Sequence, residues 1–259
     1  MTSPSSPLLL VTNDDGIQSP GLHALAESLR QVGEVVVVAP DRERSAVGHA
    51  LTLHTPLRAE SLRDGWIAVD GTPTDCVNLG IHGLLQRKPD LVVSGINRGG
   101  NLGDDITYSG TVAAAMEATL MGVPAFAVSL VDGPYPLEAF FPAARVAAKV
   151  AQMILDRGLP VDTFLNVNVP RDWTGEVVFS RQGKRRYNEV VVENVDPRGR
   201  KYYWIGGGEL GFEDEPGSDF FAVQRGAVSV SPLHLDLTNY RALDALADWH
   251  LSDPADGDG

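Results

Sequence analysis

Residues 8–21 read LLLVTNDDGIQSPG. Leu8 to Thr12 form a short run of apolar and β-branched residues, as a strand covered on both faces requires. Asn13, Asp14, Asp15 and Gly16 follow at once, so two carboxylates stand side by side at the strand's end. Like charges that close disfavour each other's ionised form unless something positive lies between them. The next segment, PGLHALAESLRQVG (20–33), places Leu22, Leu25, Ala26 and Leu29 at helical spacing and stops at Gly33; VVVVA (35–39) is a second apolar run. Strand, helix, strand in that order begins a parallel, right-handed βαβ sheet.

The alternation continues: a helix near 74–87, a strand in DLVVSG (90–95), a helix through GTVAAAMEATLMG (110–122), a strand in PAFAVSL (124–130), a long helix around 137–157 and a strand in FLNVNV (164–169). This pattern predicts an α/β fold with an open, doubly wound, mostly parallel sheet. After Pro170 the pattern changes, and residues 176–232 read as strands and turns. YNEVVVENVDPRGRKYYWIGG (187–207) has two β-prone arms around Asp196-Pro197-Arg198-Gly199, a long hairpin that either packs on its own subunit or is exchanged with a neighbour. A strand in AVSVSPL, a helix near 238–251 and a polar tail complete the chain. The expected domains are a catalytic domain of residues 1–175 and 225–252, a hairpin elaboration over 176–224 and a disordered tail over 253–259.

A length of 259 residues suits one main α/β domain with an elaboration. The 34 acidic against 21 basic residues give a formal charge of -13, which repels a nucleic-acid polymer and leaves no basic run for anionic lipid. A small anionic substrate would therefore need a local positive centre, a metal ion or a helix N-terminus. Cys76 is the only cysteine, so neither an internal disulfide nor a thiolate cluster for zinc can form. MTSPSSP lacks the features of a signal peptide and no apolar run approaches the roughly 20 residues of a membrane span, so a cytoplasmic protein is expected.

In open parallel sheets ligands bind outside the carboxyl ends of the strands, where strand order reverses. Three loops leave such ends with oxygen-rich content: Asn13 to Gly16; PDRERSAVGH (40–49), with Ser45; and INRGGNLGDDITYSGT (96–111), with Asn97 and Asn101. Carboxylates, a hydroxyl and amide carbonyls, with no histidine pair at ligand spacing, suit a hard divalent cation, Mg²⁺ or Mn²⁺. A lone Asp-Asp-Gly is more often a helix cap or Asx turn; convergence of three loops favours the metal. Ser109, Gly110 and Thr111 stand at the start of a helix, where free N–H groups, the helix dipole and two hydroxyls would receive a phosphate. RGGNLG lacks the ending of a P-loop. His49, His54 and His234 are weaker candidates, and Lys184, Arg185 and Arg186 read most simply as a solvated basic face.

VTNDDGIQSPG, VVAPDRERSAVGHALTL, GTPTDC, DLVVSGINRGGNLGDDITYSGTVAAAMEA and GVPAFAVS resemble the SurE family of nucleotidases, with no departure at the motif positions and in the same order over most of the chain. The resemblance implies a Rossmann-like three-layer α/β/α sandwich. It also implies a metal-dependent phosphomonoesterase acting on nucleoside 5′- and 3′-monophosphates, with short polyphosphate a further substrate of some members. It places one divalent metal ion on Asp14, Asp15, Ser45 and Asn97, and phosphate on Asn101 and the turn from Ser109 to Thr111. Asp14, Asp15 and Asn101 are then the expected catalytic residues. It further implies homodimers or homotetramers with exchanged C-terminal elements. Water attack without a phosphoenzyme is the expected mechanism. A receiver-type signalling domain would need an aspartate where DLVVSG ends in Ser94 and Gly95, and a haloacid-dehalogenase-like phosphatase needs Asp-x-Asp. The remaining alternative is a nucleotide-binding regulator that does not hydrolyse.

Overall fold

The structure is a computed structural model that describes residues 6–63, 65–186, 191–205 and 211–249. In chain order, β1 (Leu8–Thr12), α1 (Pro20–Leu29) and β2 (Glu34–Pro40) are followed by β3 (Ala59–Arg63), β4 (Trp66–Val69), α2 (Pro73–Leu79), β5 (Leu91–Arg98), α3 (Gly110–Leu120), β6 (Ala125–Val131), α4 (Phe141–Arg157) and β7 (Thr163–Pro170). Then come β8 (Val177–Phe179), β9 (Arg185–Arg186), β10 (Val191–Val195), β11 (Lys201–Ile205), β12 (Gly211–Phe212), α5 (Asp219–Gln224), β13 (Val228–His234) and α6 (Tyr240–Leu246).

Among the described residues, nine strands form one sheet in the order β3-β4-β2-β1-β5-β6-β7-β13-β8. The six strands from β4 to β7 are mutually parallel, while β3 and β13 run antiparallel to β4 and β7. Side chains alternate across the sheet, so Leu9 and Val11 enter one core with Leu22, Leu25 and Leu29 of α1 and Ala143 and Ala147 of α4. Leu10 enters the other with Cys76 and Val77 of α2 and Val112, Ala114 and Ala115 of α3. Both faces of the sheet are thus covered, as its continuous apolar strands require, and the three-layer α/β fold matches expectation. The run of small residues in α3, with Ala114, Ala115 and Ala118 fully buried, seats that helix closely on the sheet.

From β1 the chain crosses to β2 on one side and later returns to β5 on the other. The order therefore reverses between β1 and β5, and a crevice opens there at their carboxyl ends.

Several features depart from the sequence reading. β5 runs past DLVVSG to Arg98, so Asn97 lies on the strand and not in the following loop, and α6 covers only Tyr240–Leu246 of the helix expected near 238–251. β3 and β4 add an antiparallel edge that was not anticipated, because every residue of β3 is exposed and carries no apolar alternation. The helix expected near 74–87 ends at Leu79 and passes into a π turn, Gly80–Leu84. Within the stretch read as strands and turns, Ser218 caps the short helix α5, its hydroxyl accepting from the Phe221 N–H. And β8 is an edge of the main sheet, with α5 packed near β13 and β7, so the projecting part of 176–224 is smaller than expected. That part is the hairpin β10–β11, paired from Val191↔Ile205 to Val195↔Lys201, with all ten residues exposed. Its turn closes through Asp196, whose carbonyl accepts from the Gly199 N–H at 2.9 Å. The tail over 253–259 lies outside the described residues.

Candidate active site

A cleft of about 480 Å³ opens at the switch point. Asp14, Asp15, Ser45, Asn97, Asn101 and Ser109 line it, joined by Glu43, Arg98, Tyr108 and Tyr135. Six of the eight residues singled out in the sequence are therefore brought to one cavity. Gly110 and Thr111 stand behind it. Thr111 is fully buried; its hydroxyl donates to Asp14 Oδ1 at 2.5 Å and its N–H to Asp14 Oδ2 at 3.2 Å. In this arrangement Thr111 orients the carboxylate, where the sequence reading had it receive phosphate directly. Gly110 permits the approach, since a Cβ there would sit 3.0 Å from Asp14 Cβ and 3.1 Å from Oδ2.

The two carboxylates are accommodated differently. Burial pushes the Asp14 carboxyl up to about 6, opposed by the Thr111 hydroxyl and reinforced by the charge of Asp15. Burial also raises Asp15, against the Arg98 guanidinium. Arg98 Nε donates to Asp15 Oδ1 at 2.9 Å and its backbone N–H to Oδ2 at 3.1 Å, while Nη2 reaches Glu43 at 3.1 Å. Glu43 in turn accepts from the Ser45 hydroxyl at 2.8 Å. The positive charge beside the aspartate pair in this structure is thus Arg98, which ties the β1, β2 and β5 loops together.

Backbone geometry explains how these loops meet. Gly16 has φ +92°, and a Cβ would lie 2.8 Å from the Arg42 carbonyl carbon, so only glycine lets the first two loops touch. The Arg44 N–H donates to the Asp14 carbonyl at 2.7 Å. In β5 the pairing with β6 slips between Ser94 and Asn97. Gly95 sits in that bulge at φ +141°, and any Cβ would fall 2.2 Å from the Val128 carbonyl oxygen. A bulge beside a site re-aims the side chains that follow, here Asn97.

Four hydrogen bonds hold Asn101. Its N–H donates to Asn168 Oδ1 at 2.8 Å; its carbonyl accepts from Asn166 Nδ2 at 2.8 Å and Asn168 Nδ2 at 3.0 Å; its own Nδ2 donates to Ser129 Oγ at 2.8 Å. Asn166, Asn168 and Ser129 are fully buried on β7 and β6. Ser109 caps α3, accepting from the Val112 N–H at 3.1 Å, which leaves its O–H free to donate into the cleft.

The donor set fits a hard divalent cation. Asp14 and Asp15 offer carboxylate oxygens that keep lone pairs beyond those used internally. Asn97 Nδ2 is fixed on the Gly99 carbonyl at 2.8 Å, leaving the amide oxygen as its free donor atom, and Ser45 supplies a hydroxyl. Among the described residues there is no cluster of three or more His, Cys, Asp or Glu that could hold a metal; the set here has two carboxylates and depends on the hydroxyl and the amide.

Several contributors went unrecognised in the sequence: Arg98, Glu43, Tyr108, Tyr135 and the second rank of Asn166, Asn168 and Ser129. An arginine directly after Asn97, and two asparagines alternating on a strand that should be apolar, were the signals available. Arg185, read as part of a solvated basic face, pairs instead with Asp105 on the cleft wall, and its guanidinium lies 4.9 Å over Phe220. His49 lies outside the cleft lining and hydrogen-bonds Glu117 of α3 at 2.7 Å, anchoring the β2 loop. His234 caps the following turn, accepting from the Asp236 N–H.

The family model described as survival protein SurE matches residues 9–189. A 5′-nucleotidase SurE of Syntrophotalea carbinolica is 62% identical over 245 residues, covering 95% of this chain and 98% of the relative. A 5′-nucleotidase SurE of Geobacter sulfurreducens is 64% identical over 247 residues, covering 94% of each. The crystal structure of a SurE protein from Aquifex aeolicus superposes with a TM-score of 0.83 at 47% identity, over 93% of this chain and 98% of that one.

Proposed function

The chain belongs to the SurE family, and from that membership and the cleft's chemistry we propose that it is a 5′-nucleotidase, hydrolysing nucleoside 5′-monophosphates to nucleoside and phosphate. The 3′-monophosphates and short polyphosphate are included as further substrates. The names of these relatives favour an enzyme over a non-hydrolysing regulator. The observation that carries the reading is the convergence of Asp14, Asp15, Ser45 and Asn97 with Asn101 and Ser109 on one cleft at the switch point.

Asp14, Asp15, Ser45 and Asn97 would hold one divalent cation, Mg²⁺ or Mn²⁺. Bound there, it supplies positive charge that offsets the charge of the phosphate as it transfers. The second hydrogen of Asn101 Nδ2 and the hydroxyl of Ser109 donate to the remaining phosphate oxygens, and both are prepositioned by buried partners. Thr111 holds Asp14 in place from behind. In the reaction water oxygen bonds to phosphorus and the P–O5′ bond breaks; one water proton ends on the nucleoside 5′-oxygen and the other on phosphate.

Two features support self-association. The hairpin β10–β11 exposes Val191, Tyr202, Tyr203, Trp204 and Ile205, and α6 exposes Tyr240, Leu243 and Leu246. Apolar surface displayed in this way suits homodimers or homotetramers built by exchange of these elements. No described helix is long and apolar enough to cross a membrane, in keeping with a cytoplasmic location. The test is phosphate release from 5′- and 3′-nucleoside monophosphates and short polyphosphate with EDTA, Mg²⁺ or Mn²⁺. Metal-restored release supports the proposal. No release from any substrate by folded protein would favour the regulator.

A further inference from the structure

A nucleoside monophosphate brings a flat, weakly polar base as well as a phosphate, and most of the cleft offers nothing for it. Asp14, Asp15, Glu43 and Asp105 are acids, Arg98 is engaged with two of them, and Asn97, Asn101, Ser45 and Ser109 are polar. Among the cleft-lining residues only Tyr108 and Tyr135 carry an aromatic ring, and Ala46 adds a single methyl. Tyr135 is half-buried, packs against the core and stacks on Phe140 with centroids 6.1 Å apart. Its ring is part of the wall.

Tyr108 is different. The residue is 62% exposed, and none of the ring-stacking contacts among the described residues involves it. Its backbone, by contrast, is held. It ends the 3₁₀ turn Gly103–Tyr108, its carbonyl accepts from the Gly48 N–H at 3.2 Å, and the turn is closed by the Ser109 N–H on the Ile106 carbonyl at 3.3 Å. The next residue, Ser109, is the N-cap of α3. An open aromatic face therefore stands one residue from a group assigned to phosphate, on backbone fixed from both the β2 loop and the helix.

We propose that Tyr108 is the platform on which the base of a bound nucleoside monophosphate stacks. The inference rests on the nucleotidase reading of the same cleft and deepens it. Every base has a π face, so a stacking platform tolerates all bases and grades them by area, purines ahead of pyrimidines. A site built this way reads the presence of a base more than its identity.

The experiment compares adenosine 5′-monophosphate with ribose 5-phosphate, which carries the same phosphate without a base, in the parent enzyme and in Tyr108→Ala, Tyr108→Leu and Tyr108→Phe. Loss of the ring in Ala and Leu is expected to raise KM for adenosine 5′-monophosphate roughly 5- to 150-fold, the range of one base–aromatic stack, with a much smaller change for ribose 5-phosphate. Tyr108→Phe should rescue most of the loss. Equal losses on both substrates, or an unchanged KM for the nucleotide in Ala and Leu, would overturn the platform while leaving the nucleotidase reading in place. A parent enzyme that hydrolyses neither substrate with any metal overturns that reading, and the platform with it.

Discussion

Replacing Asn168 with alanine strikes the site from behind, without touching the cleft. Asn168 is fully buried on β7 and makes two hydrogen bonds to the backbone of Asn101. Without it the Asn101 N–H loses its partner in a buried setting, a loss worth about 1–3 kcal/mol. The Asn101 carbonyl keeps Asn166 Nδ2 at 2.8 Å, so losing its second donor adds about 0.5–1.5 kcal/mol. Asn168→Ala should therefore destabilise the fold by about 1.5–4.5 kcal/mol. Asn166→Ala should cost less, because it removes a single donor and takes away a buried Oδ1 that has no hydrogen-bond partner. Urea denaturation followed by tryptophan fluorescence, with EDTA present, gives both values. Phosphate release by the same proteins should fall further for the Asn168 variant, since Asn101 is then held by fewer contacts. If Asn168→Ala were within about 0.5 kcal/mol of the parent, or ranked above Asn166→Ala in stability, the account of how β7 fixes the Asn101 loop would be refuted.

Asp14→Asn and Asp15→Asn should each sharply lower turnover in folded protein, read as phosphate release with saturating Mn²⁺; near-normal rates in both would remove the site assignment. Thr111→Val deletes the hydroxyl bonded to Asp14 at 2.5 Å; a hydrogen bond to a charged group is worth about 1.5–3 kcal/mol, so kcat/KM should fall roughly 10- to 150-fold, and an unaltered value would show that Thr111 does not orient Asp14. Stability should also depend on pH through Glu117, whose carboxyl is held below its ordinary 4.5 by the His49 hydrogen bond against the opposing effect of burial. A depressed carboxyl stabilises the native state fully above its unfolded value and loses that increment as pH falls through its native one. Glu117→Gln should accordingly flatten the decline of Tm below about pH 4.5, and identical acid limbs in the two proteins would contradict this.

The legibility of the sequence followed the range of the forces involved. Leu8–Thr12 and the first five residues of Leu91–Arg98 announced themselves as buried strands because apolar runs and their breaks are local; the continuation of that strand through Asn97, read as loop, follows from its bulged pairing with β6. The oxygen-rich loops at their ends could be located for the same reason, and the parallel topology placed them on one edge. β3 and α5 escaped because one is an exposed strand without apolar alternation and the other a six-residue helix held by its cap and its neighbours.

By itself, then, the chain determined the α/β alternation, the positions of Asp14, Asp15, Ser45, Asn97 and Asn101 at strand ends, and through its long motifs the family. Tertiary structure alone decided which partner each group would have. Thr111 reaches Asp14 across 97 residues, Arg98 reaches Asp15 across 83 and Asn168 reaches Asn101 across 67. Those pairings follow from β5 lying beside β1 and β7 lying beyond β6. Strand order is a property of the packed sheet, settled by which faces bury one another, and no local pattern of residues encodes it.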